Sequence, residues 1–146
     1  MINFSNHGIK PKLTLDLKAA GNWISDVVVS EHKIVGDIYY IFCSDDELLE
    51  INKQYLNHDT LTDIISFPES NSTNIISGEI YISIDRVREN AMMYGVKFIN
   101  ELYSVMGHGV LHFVGYGDGT PEDRAKMRSK EDYYLTLNPI HEVKPE

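Results

Sequence analysis

The stretch GEIYISI, residues 78–84, decides the fold class because its side chains alternate between apolar and polar at successive positions. Three isoleucines share one face, and a glutamate, a tyrosine and a serine share the other. A period of two is typical of a β-strand with one buried face. Residues 85–94 follow with a helical pattern, and Gly95 is placed to end that helix. The stretch therefore predicts a strand that leads directly into a helix.

Outward from this strand, the same criteria predict further elements on both sides. The predicted strands cover residues 2–4, 37–44, 63–67 and 78–84. The predicted helices cover residues 15–30, 45–56, 85–94, 98–114 and 121–135. Ser44 and Thr120 are candidate N-caps, Gly115 a helix end, and residues 69–77 a long loop. The fold class predicted is α/β (α+β), with a single small mixed sheet packed against several helices.

The composition predicts a single domain over residues 1–146. Hydrophobic residues at 42% and charged residues at 24% are ordinary for a folded domain and exclude a disordered chain. The longest apolar run, residues 38–43, is far shorter than the roughly 18 residues of a membrane span. No secretory signal is visible, and Cys43 has no second cysteine to pair with. We therefore expect a cytoplasmic protein with no membrane partner and a buried Cys43 thiol.

A second stretch, HGVLHFVGYGD at residues 108–118, has the spacing of a metal site. His108 and His112 are four residues apart, so on a helix both imidazoles lie on one face. Gly115 can take the left-handed conformation that turns the chain back, so that Asp118 points at the same ion. The spacing is that of a metzincin zinc site, with aspartate in place of the third histidine. It predicts one zinc, or another divalent metal, on His108, His112 and Asp118.

The residue after the first histidine, Gly109, argues against a peptidase. Zinc peptidases carry a glutamate at this position as a base, whereas glycine accepts no proton. Three protein ligands leave a coordination position open, which is typical of catalytic sites. The alternatives are two histidines satisfied by backbone or water and an aspartate in an ordinary turn. The metal site is favoured because all four positions, at His108, His112, Gly115 and Asp118, have the spacing that such a site requires.

The same residues resemble the YbeY family of bacterial rRNA-maturation endoribonucleases, whose signature is H-G-x-L-H-x-x-G-Y-D-H followed by M-x-x-x-E. The matching positions are His108, Gly109, Leu111, His112, Gly115, Tyr116, Met127 and Glu131. Upstream, residues 51–55, 62–68 (TDIISFP) and 78–80 resemble three further blocks of the family. The chain departs from the family at Asp118, where histidine is usual, and at Leu56, where arginine is usual.

This resemblance implies a metalloprotease-like fold with a zinc site. It also implies a single-strand-acting, metal-dependent endoribonuclease that matures the 3′ end of small-subunit rRNA and serves ribosome quality control. The implied partners are RNA, namely rRNA, and the small ribosomal subunit with its assembly factors. Asp63 and Ser66, in the TDIISFP block, are candidate catalytic residues. Their alternatives are a cap at a strand end for Asp63 and ordinary strand pairing for Ser66.

Four basic residues are candidates for RNA contact. Lys53 and His58 lie near Leu56, where the family's arginine is thought to meet the RNA, and Arg86 and Arg88 begin a predicted helix. The basic residues of the last helix alternate with acidic ones and are interpreted as a solvated face. With 13 Lys+Arg against 22 Asp+Glu, the net charge is −9. We therefore expect weak binding to naked RNA and delivery of the substrate by a partner.

Two other functions remain open from the sequence. One is a metal-dependent hydrolase of a non-nucleic substrate, against which Gly109 argues. The other is a ribosome-associated binding module with a non-catalytic metal site, which Asp118 and Leu56 favour. Elsewhere, Trp23, Met92, Met93 and Met106 are predicted to be core residues.

Overall fold

A computed structural model describes residues 1–7, 15–56, 62–69 and 73–138. The strands are β1 (Ile2–Asn6), β2 (Ile34–Cys43), β3 (Ile64–Pro68) and β4 (Ile75–Ser83). The helices are α1 (Leu17–Ser30), α2 (Asp45–Leu56), α3 (Ile84–Tyr94), α4 (Phe98–Val114) and α5 (Pro121–Thr136). Each predicted strand and helix is therefore present, with some ends shifted. None of the helices in these described ranges is long and apolar enough to cross a bilayer.

The four strands form one mixed sheet in the order β1-β2-β4-β3. β2 is parallel to both β1 and β4, and β3 is antiparallel to β4. Parallel neighbours need a long crossover, which α1 supplies between β1 and β2. The predicted α+β class with a single mixed sheet is confirmed.

The main core lies between one face of the sheet and the helices α1, α4 and α5. Ile80 and Ile82 of β4 are fully buried on this face, as their alternation predicts. The ring of Trp23 meets Tyr103 edge-on at 5.3 Å, and its indole nitrogen donates to the carbonyl oxygen of Tyr134 at 2.9 Å. Trp23 is thus the packing residue predicted, and it joins α1 to both α4 and α5.

A smaller cluster, with Cys43, Leu48 and Ile65 buried, joins α2 to β2 and β3. The side chain of Cys43 is fully buried, as predicted. Burial, with a contribution from three nearby carboxylates, raises the pKa of this thiol to about 12. The thiol is therefore protonated throughout the range of pH in which proteins are handled.

Cys43 is accordingly expected to resist alkylation in the native protein, because the thiolate is the reactive form and the sulfur has no solvent access. Iodoacetamide labelling followed by mass spectrometry should find no adduct on the folded chain and one adduct after unfolding in urea. Rapid labelling of the folded chain would contradict the burial of this strand.

The structure corrects two boundaries around β4. Residues 75–77 belong to the expected loop 69–77 but pair with β2 and begin the strand. Ile84 belongs to α3 rather than to the strand, because the hydroxyl of Ser83 accepts a hydrogen bond from the Arg86 backbone N–H at 3.2 Å and caps the helix. The strand-to-helix unit predicted by GEIYISI is therefore present, with its junction one residue earlier.

Met92 and Met93 are not core residues, contrary to prediction, since they are 76% and 71% exposed. The buried positions of α3 are Ile84, Val87 and Ala91, which form a single stripe along the helix. At about 100° per residue, the two positions after Ala91 turn away from that stripe. Met106 is fully buried, as predicted.

Candidate metal centre

His108 and His112 lie one turn apart on α4. Their Nε2 atoms are 3.0 Å apart, and the two rings are nearly perpendicular, at 82°. Both side chains are half-buried, at 27% exposure. The helix therefore presents two imidazole nitrogens to one point, as the spacing of the motif predicts.

Gly109, between the histidines, allows α4 to lie close against the sheet. A Cβ atom at this position would lie 2.9 Å from the Cδ1 of Ile64 and 3.1 Å from two carbons of Ile80. The residue is buried, so a longer side chain has no solvent to enter. The packing explains why the glutamate of zinc peptidases has no place here.

Gly115 ends α4 and turns the chain toward Asp118. Its φ is +129°, and its N–H donates to the carbonyls of Leu111 and His112. Such a positive φ favours glycine. The Oδ2 atom of Asp118 lies 3.4 Å from the Nε2 of His112 and 3.9 Å from the Nε2 of His108. The turn thus brings the third predicted ligand to the histidine pair.

The largely buried carboxylate of Glu31 anchors this turn. The hydroxyl of Tyr116 donates to Glu31 at the end of α1, with an oxygen–oxygen distance of 2.6 Å. Tyr134 and Lys130 of α5 donate to the other oxygen of the same carboxylate. Burial alone would raise the pKa of Glu31, but these hydrogen bonds lower it below its usual value. The turn that carries Asp118 is therefore anchored to α1 and α5.

The three donor atoms have spacings that suit a tetrahedral metal ion. They all lie within 4.8 Å of one another, at separations of 3.0, 3.4 and 3.9 Å. Donors bound to zinc at the usual lengths lie about 3.4 Å apart. Two imidazole nitrogens and one carboxylate oxygen suit zinc and also harder divalent metals such as manganese. The residues present therefore fit a divalent ion.

Glu131 of α5 orients the first histidine. Its Oε2 lies 2.6 Å from the Nδ1 of His108, so this nitrogen carries the proton and Nε2 is left as a donor to a metal. Burial lowers the pKa of His108, but Glu131, with the charges of Asp63 and Asp118, raises it above its ordinary value. The motif match included Glu131, but its role was missed because the two residues are 23 positions apart.

We expect Glu131→Gln to weaken metal binding about 10–100-fold, the usual loss when a carboxylate behind a metal-bound histidine is removed. Competition with a chromophoric chelator measures the dissociation constant. Glu122→Gln, at an exposed position in the first turn of α5, is the matched control and should bind metal like the wild type. Equal affinities for all three proteins would contradict an orienting role for Glu131.

A cavity of about 510 Å³ opens beside the metal centre. His108 and Asp118 lie in its wall, together with Asp63, just before β3, and Glu101 of α4. Burial raises the pKa of Asp63, whose Oδ2 accepts a hydrogen bond from the Asn90 side chain at 3.4 Å. Asp63, the candidate catalytic residue of the TDIISFP block, therefore lies in the same cavity as His108 and Asp118.

Glu101 is a further cavity residue that sequence reasoning missed. Burial, together with the negative charges of Asp63 and Glu131, raises the pKa of its carboxyl to about 7. A carboxyl that titrates near neutral pH is suited to proton transfer. The signal in the sequence was its position seven residues before His108, two turns earlier on the same face of α4.

The described lining of the cavity does not include the predicted site residues Ser66, Arg86, Arg88 and Lys53. Ser66 pairs with Ile80 in the sheet. Arg86 forms an ion pair with Asp45 at 3.0 Å, and Arg88 and Lys53 are exposed on their helices. His58 lies outside the described residues. Catalytic or RNA-binding roles for these residues stay predictions.

The fold and the centre together define a class of protein. A small mixed sheet supports a helix with two histidines, a glycine turn delivers a carboxylate to them, and a cavity opens beside the three donors. An incomplete ligand set beside an accessible cavity is typical of a metal-dependent hydrolase.

Comparisons with known proteins identify the family within that class. Residues 5–138 match the sequence profile described as Endoribonuclease YbeY. A Flavobacterium psychrophilum protein of this name is 60% identical over 116 residues, 80% of this chain and 82% of the relative. One from Flavobacterium johnsoniae is 50% identical over 138 residues, 94% of this chain and 96% of the relative. The chain belongs to the YbeY endoribonuclease family, as its motifs predicted.

A solved structure has the same fold. The solution structure of a Thermotoga maritima protein is similar to this chain with a TM-score of 0.68 and 29% sequence identity. The similarity covers 99% of this chain and 98% of the other.

Proposed function

We propose that this chain is a metal-dependent endoribonuclease that cleaves single-stranded RNA at the centre formed by His108, His112 and Asp118. As a member of the YbeY endoribonuclease family, the chain is an enzyme that acts on RNA. The observation that carries the proposal is the convergence of the three donors beside a cavity open to solvent. We propose zinc as the resident metal, because two imidazoles and one carboxylate form a ligand set that zinc favours.

The biological substrate in this proposal is the 3′ end of small-subunit rRNA. The proposed partners are the small ribosomal subunit and its assembly factors, and the proposed compartment is the cytoplasm, where the enzyme would also serve ribosome quality control. The net charge of −9 supports delivery by a partner, since an acidic protein repels free RNA.

Each residue of the centre has a distinct part in this mechanism. His108, His112 and Asp118 would hold the ion, which supplies Lewis acidity toward a phosphodiester. Glu131 keeps the proton of His108 on Nδ1. Near neutral pH the Glu101 carboxyl exists in both protonated and ionised forms, so its oxygens can accept a proton or release one.

The residues of the TDIISFP block have smaller parts in the proposal. Asp63, another carboxylate of the cavity lining, would orient the attacking group through its oxygens. Ser66 stays a candidate through its hydroxyl, although its backbone serves strand pairing.

The first alternative is a hydrolase of a non-nucleic substrate. A peptidase of this kind loses support, because the packing around Gly109 leaves no space for the glutamate that zinc peptidases use. The second alternative, a ribosome-associated binding module, is distinguished from the endoribonuclease by the cleavage experiment that follows.

The experiment is cleavage of a small-subunit rRNA precursor, both as free RNA and within assembled particles, by the purified chain. We expect cleavage by the metal-loaded protein, loss of cleavage on treatment with a chelator, and recovery when zinc or manganese is added back. Absence of cleavage of both substrates by a chain that holds stoichiometric metal would contradict the proposal. Association with particles without cleavage would then favour the binding module.

A further inference from the structure

The cavity beside the metal centre is a groove whose two sides differ in chemistry. α4 packs against both α3 and α5, and its residues Glu101 and His108 line the base of the groove. Tyr94, the last residue of α3, lines one side. Arg124 and Arg128 of α5 line the other. An aromatic ring and two guanidinium groups therefore lie on opposite sides of α4, with the carboxylates of Glu131 and Asp132 on the same helix as the guanidinium groups.

The two arginines are placed to bind an anion next to the metal. They are four residues apart on α5, so they share a face. The Nη1 of Arg124 donates to the backbone carbonyl of Asp118 at 3.2 Å, which fixes this guanidinium beside the third ligand. Among the described residues, no carboxylate forms an ion pair with either arginine. Arg86, by contrast, is paired with Asp45.

The rest of the groove would repel an RNA phosphate. Its lining carries five carboxylates, at Asp63, Glu101, Asp118, Glu131 and Asp132. The two guanidinium groups are the permanent cations of the described lining. Arginine presents a planar fork of donors that matches phosphate oxygens. A phosphate that enters the groove is therefore directed toward the guanidinium groups of Arg124 and Arg128, and away from the carboxylates of the lining.

Tyr94 offers a surface for a nucleobase. Its side chain is 62% exposed at the edge of the groove. Unpaired bases stack on exposed aromatic rings with little sequence preference, whereas the bases of a duplex are already stacked on their neighbours. The ring thus favours a single strand over a duplex.

We propose that this groove is the subsite that binds single-stranded RNA, with backbone phosphates on Arg124 and Arg128 and one base stacked on Tyr94. The identity of the ligand rests on the proposed function. The sequence placed both arginines on a solvated helix face. Only the packing of α5 against α4 shows that these two arginines, and not the other basic residues of α5, line the groove.

The test compares Arg124→Gln, Arg128→Gln and Tyr94→Ala with the wild type on a short single-stranded RNA at several salt concentrations. Each arginine variant should raise KM about tenfold and reduce the slope of log affinity against log salt by about 0.7, the share of one phosphate contact. Tyr94→Ala should raise KM about tenfold, and Tyr94→Phe, which keeps the aromatic ring, should recover most of that loss. Metal content should be unchanged in all four variants.

Lys18→Gln is the matched control, since it removes one positive charge from an exposed position on α1. If the wild type fails to cleave, the proposed function fails. The groove is then still tested, because fluorescence anisotropy on the intact RNA gives the same comparison of dissociation constants. Arginine variants that bind RNA like Lys18→Gln, or Tyr94→Ala that binds like Tyr94→Phe, would overturn the inference.

Discussion

His112→Ala is expected to lower RNA cleavage by more than about a hundredfold, which exceeds the usual loss from removing a residue behind a metal ligand. The Nε2 of His112 lies 3.0 Å from the Nε2 of His108 and 3.4 Å from the Oδ2 of Asp118, so it is the donor closest to both others. Without it, two donors remain, too few to hold a catalytic divalent ion at ordinary concentrations. Metal content and activity should therefore fall together.

His7→Ala is the matched control, because His7 is an exposed histidine just after β1. It should keep the metal content and the cleavage rate of the wild type. Cleavage by His112→Ala at the wild-type rate, in protein shown to lack metal, would contradict a metal-dependent mechanism. Circular dichroism on each variant separates loss of the centre from loss of the fold.

Gly78→Ala is expected to reduce the free energy of unfolding by about 3–5 kcal/mol, since backbone strain and overpacking add at this position. Gly78 has φ +153°, and an added Cβ would lie 2.5 Å from the carbonyl oxygen of Phe67 and 2.7 Å from the Cζ of Phe113. The first of these atoms belongs to β3, which is paired with β4, so it cannot move without disturbing the sheet. This is a large part of the roughly 5–15 kcal/mol that stabilises a domain.

The same substitution should reach the metal centre, because Phe113 directly follows His112 on α4. Urea unfolding and metal affinity measure the two effects. Gly119→Ala is the control: no atom lies within 4 Å of its added Cβ, and its backbone is not at positive φ. Its stability should stay within about 0.5 kcal/mol of the wild type. Equal unfolding midpoints for the two variants would contradict the packing described for β4.

Local patterns predicted most of the fold. The alternation in residues 78–84 located β4, and the capping residue Thr120 located the start of α5 to the residue. The sequence pattern gave a wrong boundary where pairing with a neighbouring strand determines whether a segment is extended. Residues 75–77 contain serine and look like the end of a loop, but β2 offers them backbone hydrogen-bond partners.

The candidate site likewise has one part that local sequence patterns predict and one part that depends on tertiary packing. His108, His112 and Asp118 are eleven residues from first to last, so helix geometry and one glycine turn suffice to bring them together. Glu131 and Arg124 belong to a different helix, and their places beside the centre depend on how α5 packs. No spacing rule connects them to the histidines in advance.

The most direct test of the central claim is the metal content of tag-free protein, with the wild type measured beside Asp118→Ala by elemental analysis. A three-ligand centre predicts about one zinc or other divalent ion per chain in the wild type and its loss in the variant. Stoichiometric metal retained by Asp118→Ala, or no metal in a wild type reconstituted with zinc, would contradict a centre made of His108, His112 and Asp118.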